Sequence, residues 1–155
     1  MNKPILLSMC GLQCSGKTTK AKELIKKYNF KYLCADDYRE FYPYWSDNKV
    51  FTELYKQMNI FLSQGKNVIV DVTSIDITTR KLLLDNIKHD CLKYIFVMDT
   101  PFEECLIRLQ KRNKQISRQV PIEILYKYNQ DFTIPTIEEG WNKIIYNSSF
   151  TNIDN

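Results

Sequence analysis

The sequence predicts an α/β domain, a doubly wound and mainly parallel sheet of four to five strands flanked by helices. Three observations predict it. Short β-like runs alternate with helix-like stretches from end to end. Several of those runs are nearly all apolar, as parallel strands covered on both faces must be. The first of them leads through a glycine-bracketed loop straight into a helix. The 155 residues suit one domain, expected over residues 1–150, with 151–155 as a short frayed tail. Hydrophobic residues at 44% and charged residues at 26% describe a globular and not a disordered chain.

The elements follow in order. Ile5–Cys10 reads as a buried strand. Residues 11 to 18, Gly-Leu-Gln-Cys-Ser-Gly-Lys-Thr, then complete a G-x-x-x-x-G-K-S/T phosphate-binding loop, the mark of a P-loop NTPase or kinase fold. Ala21, Leu24, Ile25 and Tyr28 repeat at helical spacing behind it. Gly11 and Gly16 let the backbone wrap a phosphate without a clashing β-carbon, and loop amides with the helix N-terminus offer positive potential. Lys17 is expected on the β- and γ-phosphates of ATP and Thr18 on Mg²⁺, with Leu12, Gln13, Cys14, Ser15 and Thr19 completing the ATP-binding set. Further strands are expected at Phe30–Cys34, Val68–Asp71, Leu92–Met98 and Lys143–Tyr146. Phe51, Leu54, Tyr55, Met58, Phe61 and Leu62 form an amphipathic helix that Gly65 stops. Thr100-Pro101-Phe102-Glu103 combines an N-cap, a first-turn proline and a capping-box glutamate, opening a helix that buries Phe102, Cys105, Leu106 and Leu109. Pro121 is expected at the first position of the next helix.

Ligands of such sheets collect beyond the carboxyl ends of the strands. After the second strand stands Ala35-Asp36-Asp37-Tyr38-Arg39. One Asp can take the proton of an attacking hydroxyl while Arg39 binds an acceptor phosphate and holds the Asp ionised. An N-cap with a surface ion pair explains the same residues equally well. After the third strand, Asp71 is placed to hold the water shell of Mg²⁺, and the hydroxyls of Thr73 and Ser74 could face the acceptor. From Arg108 to Arg118 run Arg108, Lys111, Arg112, Lys114 and Arg118 without an apolar face, so the helix should give way here to an exposed basic loop able to close over ATP. An arginine in it could stabilise charge on the transferred phosphoryl group.

Other features narrow the field. Phe41-Tyr42-Pro43-Tyr44-Trp45 is read as satellite core in preference to a stacking surface. His89, the single histidine, excludes His-rich metal sites and is expected to be exposed near a helix end. Five cysteines with no C-x-x-C pair read as reduced thiols of a cytoplasmic protein. No apolar run approaches membrane-spanning length. The net charge of +4 suits a polyanionic substrate without demanding one.

With these segments placed, the chain resembles the kinase domain of the phage-type polynucleotide 5′-hydroxyl kinases, within a wider group of small AAA-like P-loop kinases. The resemblance rests on Gly11–Thr18, on Asp36-Asp37-Tyr38-Arg39 and on Asp71-Val72-Thr73-Ser74. It extends through Arg112-Asn113, Val120-Pro121-Ile122-Glu123 and Phe132-Thr133-Ile134-Pro135 to Glu139-Gly140-Trp141. It implies Asp36 as general base, Arg39 as acceptor-phosphate ligand, and a lid arginine, Arg118 in preference to Arg112, as transition-state clamp. Ala35 stands where the phage enzyme has an arginine, and Val72 where it has an aspartate. The D-x-D-G-T motif of the phosphatase domain in bifunctional relatives does not occur in this sequence. The expectation is a Mg²⁺-ATP-dependent phosphotransferase acting on an alcohol group of nucleic acid, foremost the 5′-OH end of DNA or RNA. A kinase of a tRNA-linked group, modified DNA base, nucleotide or small metabolite is the alternative, and a non-catalytic ATP-binding module the second.

Overall fold

The computed structural model describes residues 2–115 and 119–154. Five strands, β1 (Ile5–Cys10), β2 (Phe30–Cys34), β3 (Asn67–Asp71), β4 (Leu92–Val97) and β5 (Lys143–Tyr146), form one sheet in the order β2-β3-β1-β4-β5. Every pairing is parallel, with Leu7 level with Ile69 and Cys34 level with Asp71. The doubly wound parallel sheet expected from the sequence is therefore present, with β1 and its loop at the centre.

The strand period of two divides the apolar residues between two layers. Leu6, Val68, Val70, Ile95 and Val97 face α3 (Asp47–Ser63) and α4 (Ile77–Asp85), where Val50, Leu54, Met58, Leu62 and Leu83 close the larger core with Trp141. Leu7, Met9, Ile69 and Phe96 point the other way, onto Ala21 and Leu24 of α1 (Lys17–Lys27). A third cluster joins Cys105 and Leu109 of α5 (Phe102–Gln115) to Leu125 of α6 (Ile122–Asp131) and to Leu12 of the phosphate loop.

Several local expectations change. As far as Gln115 the basic stretch is helical: α5 runs on through Arg108, Lys111, Arg112 and Lys114, so no loop opens within that part, and residues 116–118 lie outside the described residues. Lys, Arg and Gln are good helix formers, and cations in the last turn suit the helix dipole, so no apolar face is needed to carry it on. Asn113 ties the far side of the connection, its amide donating to the Val120 carbonyl at 2.8 Å and its Oδ1 accepting from the Val120 amide at 3.1 Å. The Thr100 hydroxyl does not cap α5 but donates to the Ser15 carbonyl at 2.7 Å, bracing the phosphate loop. Pro121 precedes α6 as its N-cap. In the C-terminal segment Ile153 is buried against the α1 layer, with its amide donating to the Tyr28 hydroxyl at 3.0 Å and its carbonyl accepting from Lys143 at 2.9 Å. His89 is exposed. Among the described residues no helix is long and apolar enough to cross a membrane.

Candidate active site

The loop between β1 and α1 folds as a cradle. Gly16, at φ 98°, turns the chain into α1, and Cys14 also sits in the left-handed region at φ 61°. At Gly11 the constraint is close approach. A β-carbon there would come within 2.8 Å of Ser15 Oγ and 3.0 Å of Met98 Cβ, so only glycine lets the loop lie against the end of β4. Lys17 curls back over the cradle, its ammonium donating to the carbonyls of Gly11 and Leu12 at 2.9 Å each. Burial lowers its pKa, and the charges of Asp71 and Asp36 oppose that shift. Ser15 Oγ and Gln13 Oε1 are buried within the loop and find no hydrogen-bond partner among the described residues. Orphaned polar atoms inside a glycine-built cradle fit a ligand rich in oxygens that supplies the missing bonds.

Beside the cradle, at the carboxyl end of β3, Asp71 is buried. Its Oδ2 accepts from the Thr18 hydroxyl at 2.8 Å and from the Tyr32 hydroxyl at 2.5 Å. Burial and the bond to Asp71 both keep the Tyr32 phenol protonated. Tyr32 lies in β2 with its side chain aimed at the neighbouring strand end, and nothing in its sequence setting announces that.

At the end of β2 the Asp pair opens α2 (Ala35–Phe41). Asp36 and Arg39 stand one turn apart and pair at 2.8 Å, and Arg39 Nε also donates to Asp47 at 3.1 Å. Asp37 differs from its neighbour. Burial raises its pKa, Lys22 opposes that, and Asp71 and Glu40 add to it.

The turn after β3 corrects one expectation. Thr73 is half-buried, but Ser74 is buried in a left-handed conformation at φ 49°, its hydroxyl 3.3 Å from Ser8 Oγ. Ser74 therefore braces the turn from inside and presents no hydroxyl to an acceptor. The Thr73 carbonyl accepts from the Gly11 amide at 3.2 Å, joining this turn to the phosphate loop. The Ser74 carbonyl accepts from Cys10 Sγ at 3.2 Å and from Arg80 Nη1 at 3.1 Å. Burial pushes the Cys10 thiol up to about 11.

Arg80, on α4 and fully buried, is the residue that sequence reasoning missed most completely. It forms a two-pronged pair with Glu139, at 2.7 and 3.0 Å, and also donates to the carbonyl and hydroxyl of Thr133. Trp141 Nε1 donates to the same Glu139 at 3.2 Å. Burial favours the neutral Glu139 carboxyl, but the hydrogen bonds from Arg80, Trp141 and the Thr136 amide outweigh it and hold the pKa below the usual glutamate range. The segments around Thr133 and Glu139-Gly140-Trp141 thus serve to lock the turn after β3.

On the α5 side, a cleft of about 640 Å³ lies against the loop, lined among others by Cys14, Thr19, Met98, Arg108, Arg112 and Asn147. Arg108 donates to the Cys14 carbonyl at 3.1 Å and pairs with Glu104. It was legible only as one cation in a run. Arg112 is exposed at the cleft wall, and Arg118 lies outside the described residues. No group of three or more His, Cys, Asp or Glu among the described residues could hold a metal ion.

The fold agrees with comparisons to known proteins. A chain in the Pnkp1/Rnl/Hen1 RNA repair complex superposes with a TM-score of 0.77 at 23% identity, covering 84% of this chain and 44% of that one. A sugar kinase from Janibacter sp. gives 0.68 at 17% identity, covering 93% and 85%. A gluconokinase from Sinorhizobium meliloti gives 0.60 at 12% identity, covering 94% and 83%. The chain spans less than half the length of the two Pnkp1 complex chains it matches, 44% and 40%. Among curated proteins none matches the sequence. These structural likenesses establish the fold. The family model of the AAA domain matches residues 6–135, from β1 past α6, and with the intact phosphate loop this shows that the chain belongs to the AAA domain family.

Proposed function

We propose that the protein is a Mg²⁺-ATP-dependent kinase that transfers the γ-phosphoryl group to a hydroxyl on nucleic acid, foremost a 5′-OH end of DNA or RNA. The observation that carries this reading is the Asp36–Arg39 pair, set at the end of the sheet that also holds Lys17 and Asp71, with Asp36 within electrostatic reach of the Lys17 ammonium. An exposed carboxylate paired with an arginine beside a phosphate cradle supplies the proton acceptor and the anion ligand that hydroxyl-to-phosphate transfer requires. Asp36 takes the hydroxyl proton as the new oxygen–phosphorus bond forms and the bond to the departing ADP breaks. Arg39 releases Asp47 to hold the acceptor phosphate, and Lys17 leaves its two carbonyls to meet the β- and γ-phosphates. Gly11, Leu12, Gln13, Cys14, Ser15, Gly16, Thr18 and Thr19 cradle ATP through the loop backbone and the Ser15 hydroxyl. Thr18 and Asp71, joined by a 2.8 Å hydrogen bond, are the residues that would hold Mg²⁺, which would neutralise phosphate charge when bound. Thr73 faces the acceptor. Arg118 is the transition-state clamp, with Arg112 at the cleft wall.

Incubation with γ-labelled ATP and a panel of 5′-OH oligonucleotides, nucleosides, tRNA and small polyols tests the reading. Label on oligonucleotide ends, lost in Lys17→Ala, is the expected result. Label on a nucleoside or polyol alone would replace it with a small-molecule kinase, a reading favoured by Ala35 and by the likeness to sugar kinase and gluconokinase structures. No transfer to any acceptor while ATP binds would leave a nucleotide-binding module.

A further inference from the structure

The aromatic cluster after α2 divides in two. Tyr38 and Trp45 pack against the main core, whereas Tyr44 is 97% exposed, Phe41 78% and Tyr42 46%. In the exposed half, Tyr42 is pre-organised. Tyr42 lies flat on Trp45, ring centroids 3.9 Å apart and planes 6° off parallel, and Trp45 stacks at 6.3 Å against Tyr38, the residue between Asp37 and Arg39. Phe41 follows Asp37 by four residues and so shares its helix face, one turn beyond it. Single exposed apolar rings are ordinary, but three within four residues, rooted in the core and continuous with the Asp36–Arg39 pair, form a patch.

The charges around the patch limit what suits it. Glu40 and Asp47, with Asp36 and Asp37, repel a phosphate laid over the rings, so the occupant there is flat and uncharged. Cations stand at the rim: Arg39 lies over the Phe51 ring at 5.7 Å and Lys49 over Trp45 at 5.3 Å. Both are held in exposed ion pairs, Arg39 with Asp36 and Asp47, Lys49 with Glu53, which a phosphate can exchange. Rings for neutral faces with cations at their edge is the pattern that binds single-stranded nucleic acid, through base–aromatic stacking with phosphates at the border. We infer that Phe41, Tyr42 and Tyr44 form a stacking platform for unpaired bases at the 5′ end of the acceptor strand. This rests on the polynucleotide kinase reading above and makes the preferred acceptor a single strand.

The test compares the native protein with the double variant Phe41→Ala/Tyr44→Ala, whose positions are exposed and leave the fold intact by thermal melting. Acceptors are a 5′-OH single-stranded DNA 12-mer and the same strand with abasic sites at its first three positions. The variant should raise the KM for the base-bearing strand roughly tenfold while leaving the ATP KM and the salt dependence of the acceptor KM unchanged. It should have no effect on the abasic strand. An unchanged KM, an equal loss on the abasic strand, or a shift in oligomeric state that marks the rings as a contact between copies would each overturn the platform. The two readings fail separately: if the native protein phosphorylates no oligonucleotide, the acceptor assignment is wrong, whereas equal rates for native and variant remove the platform alone.

Discussion

Asp36 and Asp37 are adjacent in sequence and differently placed in space. The Asp36 side chain is 84% exposed and salt-bridged to Arg39, whereas Asp37 has its carboxyl pushed up by burial and by Asp71, against the opposing charge of Lys22. A base must be reachable, which favours the exposed Asp36. Asp36→Asn should leave ATP binding intact and slow phosphoryl transfer by ~10²-fold or more. Asp37→Asn should cost less, and rates in the opposite order would assign the base to Asp37. The clamp is a second contest between single residues. Arg118→Ala should lower kcat on the order of a hundredfold with little change in ATP affinity, because a clamp acts on charge that develops in the transition state. Arg112→Ala serves as its control. If Arg112→Ala proves the slower enzyme at saturating ATP, the residue already at the cleft wall is the clamp.

At the scale of elements, Arg80–Glu139 is the contact with the largest structural stake. It reaches from α4 to the segment before β5 and holds the turn after β3 through the Ser74 carbonyl. Removing one partner strands a charge where Arg80 has no access to solvent, so Glu139→Gln should cost about 3 kcal/mol in urea unfolding at pH 7. The Glu139 pKa is lower folded than unfolded, so its stabilisation is complete above the unfolded value of about 4.3 and fades as pH falls through the folded one. The gap between native and variant should therefore close in acid; a constant gap from pH 7 to pH 3 would mean that packing and not charge is lost.

The same scale shows what the sequence discloses. β1, β2 and β5 lie where their short β-like runs place them; β1 is buried along nearly its whole length, whereas β2 exposes Lys31. α2 is too short to show a period, and α4 carries a buried arginine that local sequence reads as surface. Its partner Glu139 lies fifty-nine residues away, a pairing that only the fold reveals. Thr18 with Asp71 was legible from motif and strand order; Tyr32 beside them was not, since an aromatic in a strand reads as core. The basic run misled because charge predicts exposure and says nothing about whether the exposed segment is helix or loop.

For the molecule as a whole, a net charge of +4 is modest, and the acceptor side around α2 carries acids as well as cations. If the acceptor is an oligonucleotide, its affinity must then come from few phosphates. The acceptor KM should rise with salt on a shallow slope, about −0.7 in log affinity against log salt for each phosphate engaged. Arg39→Ala should remove about one such contact and raise the oligonucleotide KM more than the ATP KM. A KM indifferent to both salt and Arg39 would point to a neutral acceptor.

The ammonium of Lys17, folded onto the carbonyls of Gly11 and Leu12, also sets a threshold for entry. Any anion that takes the cradle must replace two charge-assisted hydrogen bonds before it gains one. A triphosphate chain reaches Lys17, the orphaned Ser15 hydroxyl and the helix N-terminus over several phosphoryl groups at once; a lone orthophosphate spans less of the cradle. The folded-back lysine would then favour a nucleotide over free phosphate without any dedicated gate. Thermal melting should show this directly. Millimolar inorganic phosphate should leave Tm unmoved while ATP or ADP at the same concentration raises it by several degrees. Equal protection by phosphate would show that the folded-back lysine yields to any anion.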